Sequence, residues 1–245
     1  MKKLSFYEKK MKQKLKERCG TTLVETIVTL LLISIMMAMA ASALSSAAKI
    51  FVREQKTQFA QSILDTVMTE LRGLTADANG YIKIYAENDE NSGKITDMTG
   101  NNSGNILEFI NEDGYVVLIS ADGCDTTKLQ IGSQDSGVAE AVPAGQLLTR
   151  YYFCNNGKYR YSEDGNPVAR AVSTVFGEGF YMGNYMEVTW AFPDAISEET
   201  AVNQITATVT LYSDPERTQA VATDTEILQF RHMPVRNDNV TTMED

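Results

Sequence analysis

The sequence predicts an α+β protein in which a long N-terminal helix, first transmembrane and then amphipathic, packs on an antiparallel β-sheet head. Three observations support this class: an uncharged apolar run after a basic segment, an apolar pattern that narrows to one helical face, and alternating strands separated by turn sequences. The expected divisions are a leader at 1–20, a membrane helix at 21–48, an amphipathic helix at 49–73, a head at 74–233 and a flexible tail at 234–245.

Charge is distributed unevenly along the chain. Residues 1–20 hold eight Lys or Arg side chains against two Glu, a net +6 that leaves −16 for the remainder of a chain with −10 overall. Nucleic acids are bound through basic side chains that neutralise phosphates, and an acidic head lacks them. We therefore expect no nucleic-acid partner for the head.

The longest uncharged run is Thr26–Ala48, which contains 23 residues. As an α-helix it would extend about 35 Å, enough to cross the hydrocarbon core of a bilayer. Because the positive flank precedes this run, the positive-inside rule puts the N-terminus in the cytoplasm and the chain after Lys49 outside. The expected localisation is a single-pass cell membrane protein with an extracytoplasmic head.

Three kinds of protein share such a segment: a secreted protein with a cleaved signal, a protein with an uncleaved signal anchor, and one whose short leader is cut before the span. Small residues that suit ordinary signal peptidase lie at Ala38, Ala40, Ala41 and Ala43. Glu25 favours the third kind, because a carboxylate at the start of an apolar span calls for a partner. A cut after Gly20 would supply one, since the new amino group of Thr21 is protonated at neutral pH and lies one helical turn away.

The stretch Gly20-Thr21-Thr22-Leu23-Val24-Glu25, between a basic leader and a long apolar helix, resembles the type III signal of type IV prepilins and type II secretion pseudopilins. The resemblance covers roughly residues 10–72. It implies that a prepilin peptidase cuts between Gly20 and Thr21 and N-methylates Thr21, and that Glu25 is the carboxylate required for assembly. The family usually has phenylalanine where this chain has Thr21, and many members have a proline near the position of Ser42.

The resemblance also implies a structural subunit without enzymatic activity in a type IV pilus-like or type II secretion-like filament. The large head favours a minor pilin or pseudopilin. The implied partners are the prepilin peptidase, other pilin or pseudopilin subunits, membrane lipid before assembly and an assembly platform protein, and no cofactor is expected. The alternative is an exported or membrane-anchored globular binding protein with an ordinary signal sequence.

After Lys49 the apolar residues recur at steps of three and four from Phe59 to Leu71, which predicts an amphipathic helix that stops at Gly73. Turn sequences predict two hairpins, with strands at Asn105–Ile110, Tyr115–Ser120, Leu147–Cys154 and Lys158–Ser162. Further strands are predicted at Tyr185–Phe192, Ile205–Tyr212 and Thr225–Phe230. Polar stretches at Asn88–Gly104 and Gly132–Gly145 are expected to be exposed loops.

The chain has three cysteines, and the predicted cut after Gly20 would separate Cys19 from Cys124 and Cys154. Cys19 would leave with the leader, so Cys124 and Cys154 would remain as a pair outside the membrane. Either a disulfide or two thiols is consistent with the sequence.

Catalytic and metal-binding motifs are absent from the sequence. His232 is the only histidine and has no nucleophile motif near it, so a Ser-His-Asp triad is not expected. The acidic segment Glu87–Asn91 lacks EF-hand spacing and is interpreted as a solvated loop, and no metal is expected. A set of aromatic residues suggests core or cross-strand pairs rather than a carbohydrate platform: Tyr151, Tyr152, Phe153, Tyr159 and Tyr161.

Overall fold

The structure is a computed structural model that describes residues 22–86, 100–125, 130–131, 141–155, 158–159, 168–194 and 196–238. The chain divides into two compact units, Met1–Gln55 and Lys56–Asp245. The predicted cut site, the acidic segment at 87–91 and most of the tail lie outside the described residues.

One α-helix, α1, runs from Leu23 to Ala76. Its sequence contains no proline, and its first glycine is Gly73, so no residue interrupts the backbone hydrogen bonds over its first 50 positions. In the first unit, every described residue of α1 is exposed. In the second unit, one face of α1 is buried through side chains from Ala60 to Thr75.

The end of α1 differs from the prediction, because the helix continues three residues beyond Gly73. Leu71 and Thr75 are buried on either side of this glycine, and the Thr75 hydroxyl donates to the Leu71 carbonyl at 2.8 Å. Glycine in a helix costs about 1 kcal/mol, which the burial of neighbouring side chains outweighs. The Ala76 carbonyl then accepts a hydrogen bond from the Arg231 backbone amide at 3.0 Å, which satisfies one of the helix's last acceptors.

Fifteen strands are described, together with a 3-10 helix at Glu178–Tyr181. In chain order the strands are β1 Ala78–Tyr85, β2 Ser103–Gly104, β3 Ile106–Asn111, β4 Val116–Ser120, β5 Cys124–Asp125, β6 Gln130–Ile131, β7 Ala141–Val142, β8 Leu148–Tyr152, β9 Cys154–Asn155, β10 Lys158–Tyr159, β11 Val168–Thr174, β12 Tyr185–Ala191, β13 Gln204–Tyr212, β14 Ala220–Gln229 and β15 Val235–Arg236.

The strands form one seven-stranded sheet in the order β15-β1-β3-β4-β8-β11-β6 and one four-stranded sheet in the order β14-β13-β12-β2. Two further pairs, β9 with β10 and β5 with β7, have two strands each. The described pairings are antiparallel except those of β1 with β15 and of β11 with β6. The coarser part of the predicted class is therefore confirmed: the protein is α+β, with one long apolar N-terminal helix and antiparallel-rich sheets.

Several predicted strands are confirmed. The hairpin of β3 and β4 closes through Asn111, whose carbonyl accepts from the Gly114 amide at 3.0 Å and whose side chain accepts from the Tyr115 amide at 2.8 Å. Strands β12 and β13 match their predicted ranges within two residues, whereas β14 begins at Ala220, five positions before the predicted start. Strands β1 and β11 were not predicted.

A single hydrophobic cluster joins α1 to both large sheets. We call it the main core; its members include Leu64, Val67 and Leu71 of α1, Ile82 and Phe109 of the seven-stranded sheet, and Val188, Trp190 and Val209 of the four-stranded sheet. A second cluster, which we call the outer core, covers the opposite face of the seven-stranded sheet and includes Tyr85, Leu118, Leu148 and Tyr152. Because both faces are covered, all five residues of β4 are buried.

The stretches predicted as exposed loops are partly incorporated into the fold. Residues 103–104 form β2 against β12, and Val142 of β7 is buried in the outer core. Gly145 has φ +95°, and a Cβ there would approach the Tyr185 ring to 2.9 Å, so only glycine fits.

The tail also differs from the prediction of a frayed segment beginning at Pro234. Val235 and Arg236 pair with β1, and Arg236 is only 6% exposed. Its guanidinium donates to both carboxylate oxygens of Asp238 at 3.0 and 2.6 Å, to Asn102 Oδ1 at 2.6 Å and to the Ile196 carbonyl at 2.7 Å. This fully bonded side chain ties the end of the chain to two loops.

We predict that Arg236→Ala lowers the free energy of unfolding by about 3 kcal/mol, because it leaves a half-buried carboxylate without its cation. Chemical denaturation of the full chain in detergent measures this change. Arg231→Ala is the matched control, since its bond to Asp77 is exposed and worth less than about 1 kcal/mol. Equal losses for the two variants would contradict the assigned role of Arg236.

Candidate functional site

The N-terminus of α1 has the sequence pattern of a capping box and forms one of its two hydrogen bonds. Thr22 precedes the first helical residue, and its Oγ1 accepts a hydrogen bond from the Glu25 backbone amide at 3.2 Å. Glu25 occupies the third helical position, where the sequence pattern of a capping box requires Glu or Gln. Its carboxylate also lies in the first turn, where the helix dipole favours a negative charge. Glu25 therefore has a local structural role in addition to any role toward a partner.

Glu25 is exposed, and within residues 22–86 no ion pair engages its carboxylate. Gly20 and Thr21 lie outside the described residues, so the proximity of the Thr21 amine to Glu25 stays a prediction. What the structure does establish is that this carboxylate is the single acidic group at the start of a long apolar helix.

The surface that follows Glu25 is apolar on all sides. The large apolar side chains from Leu23 to Val52 are 49–78% exposed, and α1 is long and apolar enough to cross a membrane. A soluble surface rarely carries so large an apolar patch, which marks a region that lipid or another protein covers. We call residues 23–52 the apolar segment.

Five of the six hydroxyl groups within the apolar segment are satisfied inside the helix. Each of five Thr and Ser hydroxyls donates to a carbonyl three or four residues earlier, at 2.7–3.1 Å: Thr26, Thr29, Ser34, Ser42 and Ser46. An unsatisfied polar group in lipid costs several kcal/mol, and these bonds remove that cost. Ser42 sits within the continuous helix.

The two cysteines of the head lie beside the same cluster. Cys124 in β5 and Cys154 in β9 are both half-buried against the outer core. A disulfide and a pair of thiols both stay open as the predicted alternatives.

Three of the aromatic residues predicted to be core or cross-strand residues are described, and all three pack against other side chains. Tyr152 is buried in the outer core, and Tyr151 packs against the main core. Phe153 meets the Tyr115 ring edge-on, with 5.9 Å between centroids. The side chains of Tyr159 and Tyr161 lie outside the described part of the chain.

His232 bonds to Glu112 at 2.6 Å on the surface, between the residues that precede β15 and the turn of the β3–β4 hairpin. Among the described residues, no group of three His, Cys, Asp or Glu side chains is arranged to hold a metal.

The head has a groove of about 540 Å³ between residues 143–146 and 178–185. Tyr181 forms part of its wall, and its hydroxyl accepts a hydrogen bond from the Leu147 amide at 2.8 Å. Burial raises the pKa of Tyr181 to about 12, although the bond from Leu147 acts in the opposite direction. The tyrosine is therefore neutral and structural at ordinary pH.

Comparisons of the chain with protein-family models, with curated proteins and with solved structures find no match.

We predict that stability falls as pH rises from about 10 toward 12. The unfolded chain ionises Tyr181 near pH 10, whereas the folded chain retains the proton until about pH 12, so ionisation favours unfolding in that window. Denaturant midpoints measured across this range should decline more steeply in the wild type than in Tyr181→Phe. Parallel pH profiles for the two proteins would contradict the assignment.

Proposed function

We propose that this chain is a subunit, most consistent with a minor pilin or pseudopilin, of a type IV pilus-like or type II secretion-like filament. In this proposal it is made as a precursor, cut between Gly20 and Thr21, and held in the membrane by the apolar segment until assembly. The observation that carries the proposal is the apolar segment itself, which is exposed throughout and has Glu25 in its first turn.

In this proposal the apolar segment moves from the membrane into the core of a filament. In the membrane, lipid tails would cover its side chains; in a filament, the same helices of neighbouring subunits would do so. Because lipid tails and apolar side chains are similarly apolar, the exchange involves little hydrophobic free energy, and close packing and polar pairs decide the association. The internally bonded hydroxyls of Thr26 and Ser34 suit both environments.

Glu25 supports the proposal through its charge. A carboxylate that moves into an apolar filament core needs a cation, and the amino group released at Thr21 would supply one from a neighbouring subunit. The pair would form only where the ends of two helices meet, so it would set the axial register between subunits. N-methylation of Thr21 would keep the positive charge.

The proposed topology puts the leader in the cytoplasm and the head outside. The partners of the proposal are a prepilin peptidase, an assembly platform protein, membrane lipid and further subunits. The basic residues before the span and the acidic head are consistent with this orientation.

We predict that Glu25→Gln leaves membrane insertion unchanged but reduces incorporation into sheared filaments at least about tenfold, equivalent to 1.4 kcal/mol. Glutamine still suits the capping box, so this variant removes the charge while preserving the helix start. The measurement compares the chain in membrane and filament fractions by immunoblot.

The matched control is Glu54→Gln, which neutralises an exposed acid on the same helix beyond the uncharged run. It should assemble like the wild type. Normal incorporation of Glu25→Gln would show that the Glu25 charge is not needed for assembly.

A further inference from the structure

A polar row crosses the seven-stranded sheet on its outer-core face. Lys83 of β1 lies opposite Glu108 of β3 in the antiparallel register, and these side chains are 1% and 0% exposed. Lysine and glutamate are rarely buried to this extent unless they are paired or have a chemical role. Neither residue belongs to the apolar segment or to the groove.

Asn237 lies on the other side of Lys83. The parallel pairing of β15 with β1 places Val235 opposite Tyr81 and Arg236 opposite Ile82, and the Asn237 amide continues the ladder by donating to the Ile82 carbonyl at 3.1 Å. The next step of this register sets Asn237 beside Lys83, with about 5 Å between the two strands.

The alternation of side chains puts Lys83 and Asn237 on the same face. Ile82 belongs to the main core, and Arg236 opposite it lies over the Phe192 ring of that core, with 4.9 Å from the guanidinium to the centroid. The next residue of each strand therefore faces the outer core. Asp238 falls on the Arg236 side, and that guanidinium engages both of its carboxylate oxygens.

Burial disfavours the charged form of Lys83, whereas the aromatic ring and the carboxylates near it favour that form. The Nζ of Lys83 lies 5.2 Å from the centroid of the buried Tyr85 ring. Burial lowers the pKa of Lys83, while the charges of Glu108 and Asp238 act in the opposite direction. A neutral amine is the nucleophilic form of lysine.

Glu108 is held in a fixed position on the strand opposite Lys83. Its Oε1 accepts a hydrogen bond from the Tyr81 hydroxyl at 2.6 Å, which fixes the carboxylate. Its Oε2 is buried and, in the part of the chain that is described, has no hydrogen-bond partner. A fixed carboxylate on the strand opposite a buried lysine can serve as a general base.

We propose that Lys83, Glu108 and Asn237 form a self-modification site that joins Lys83 to Asn237 by an intramolecular amide bond. The neutral Nζ of Lys83 attacks Cγ of Asn237, and the bond from Cγ to the Asn237 amide nitrogen breaks. Glu108 takes a proton from the attacking nitrogen and delivers it to the departing one, which leaves as ammonia. The reaction needs no oxidant, reductant or co-reactant.

The bond would link the strand that follows α1 to the last strand of the head. Val235 and Arg236 otherwise hold β15 to β1 through a two-residue ladder and the contacts of Arg236. A covalent link would prevent β15 from separating from β1 when force is applied through α1. The inference concerns the head alone and does not depend on the proposed filament.

Intact-mass spectrometry of the denatured full-length chain, purified in detergent, tests the proposal. The wild type should be lighter than its sequence mass by one ammonia, about 17 Da, and Lys83→Arg should have its full sequence mass. Asn237→Asp should instead be lighter by one water, about 18 Da, because a carboxyl group then supplies the acyl carbon. Protease digestion of the wild type should yield a branched peptide that contains both Lys83 and Asn237.

Glu108→Gln tests the proton transfer, because the amide retains an acceptor for Tyr81 but cannot act as a base. It should have its full sequence mass, and circular dichroism should match the wild type. A wild-type chain at its full mass without a branched peptide would overturn the proposal, whatever the variants do. A cross-link in Glu108→Gln would overturn the role of Glu108.

Discussion

The buried face of α1 between Ala60 and Thr75 holds the second unit together, because it shares one apolar cluster with both large sheets. Leu64, Val67 and Leu71 lie on this face at helical spacing, and truncating one such side chain costs about 2–5 kcal/mol. The strands of the seven-stranded sheet can be apolar on this side only because the helix and the four-stranded sheet cover it. The positions of β1, β12 and β13 all depend on that burial.

The same helix has a different surface before residue 55. There its apolar side chains are exposed on every side, and five of the six hydroxyls among them bond to the helix backbone. A surface of this kind is stable only when lipid or protein covers it. The single acidic residue at its start, Glu25, donates its backbone amide to the Thr22 hydroxyl. In the proposed function, lipid covers this surface before assembly and other subunits cover it afterwards.

Local patterns made much of this structure predictable. The uncharged run, the helical spacing after Phe59 and the turn at Asn111–Gly114 each depend on neighbouring residues, so the sequence alone indicates them. The predicted helix end at Gly73 was wrong, because the burial of Leu71 and Thr75 stabilises the helix by more than glycine destabilises it.

What the sequence does not indicate depends on contacts between distant residues. β1 was not predicted although Ile82, Lys83 and Ile84 alternate as strand residues do, and the burial of Lys83 opposite Glu108 depends on strand pairing that the sequence does not show. β15 is only two residues long, and its partner lies near the start of the head. For the same reason, the site formed by Lys83, Glu108 and Asn237 is visible only once the strand register is known. Cys124 and Cys154 likewise pack against the same outer core, and no local sequence pattern indicates that they do.

In the proposed maturation, a leader is removed before the apolar segment, which remains as the N-terminal helix of the mature chain. The most direct measurement is N-terminal sequencing of the protein recovered from membranes of cells that contain a prepilin peptidase. The account predicts a mature chain that begins at Thr21. A chain that begins after Ala40 or Ala43 would have lost Glu25 and most of the apolar segment, and would contradict the account.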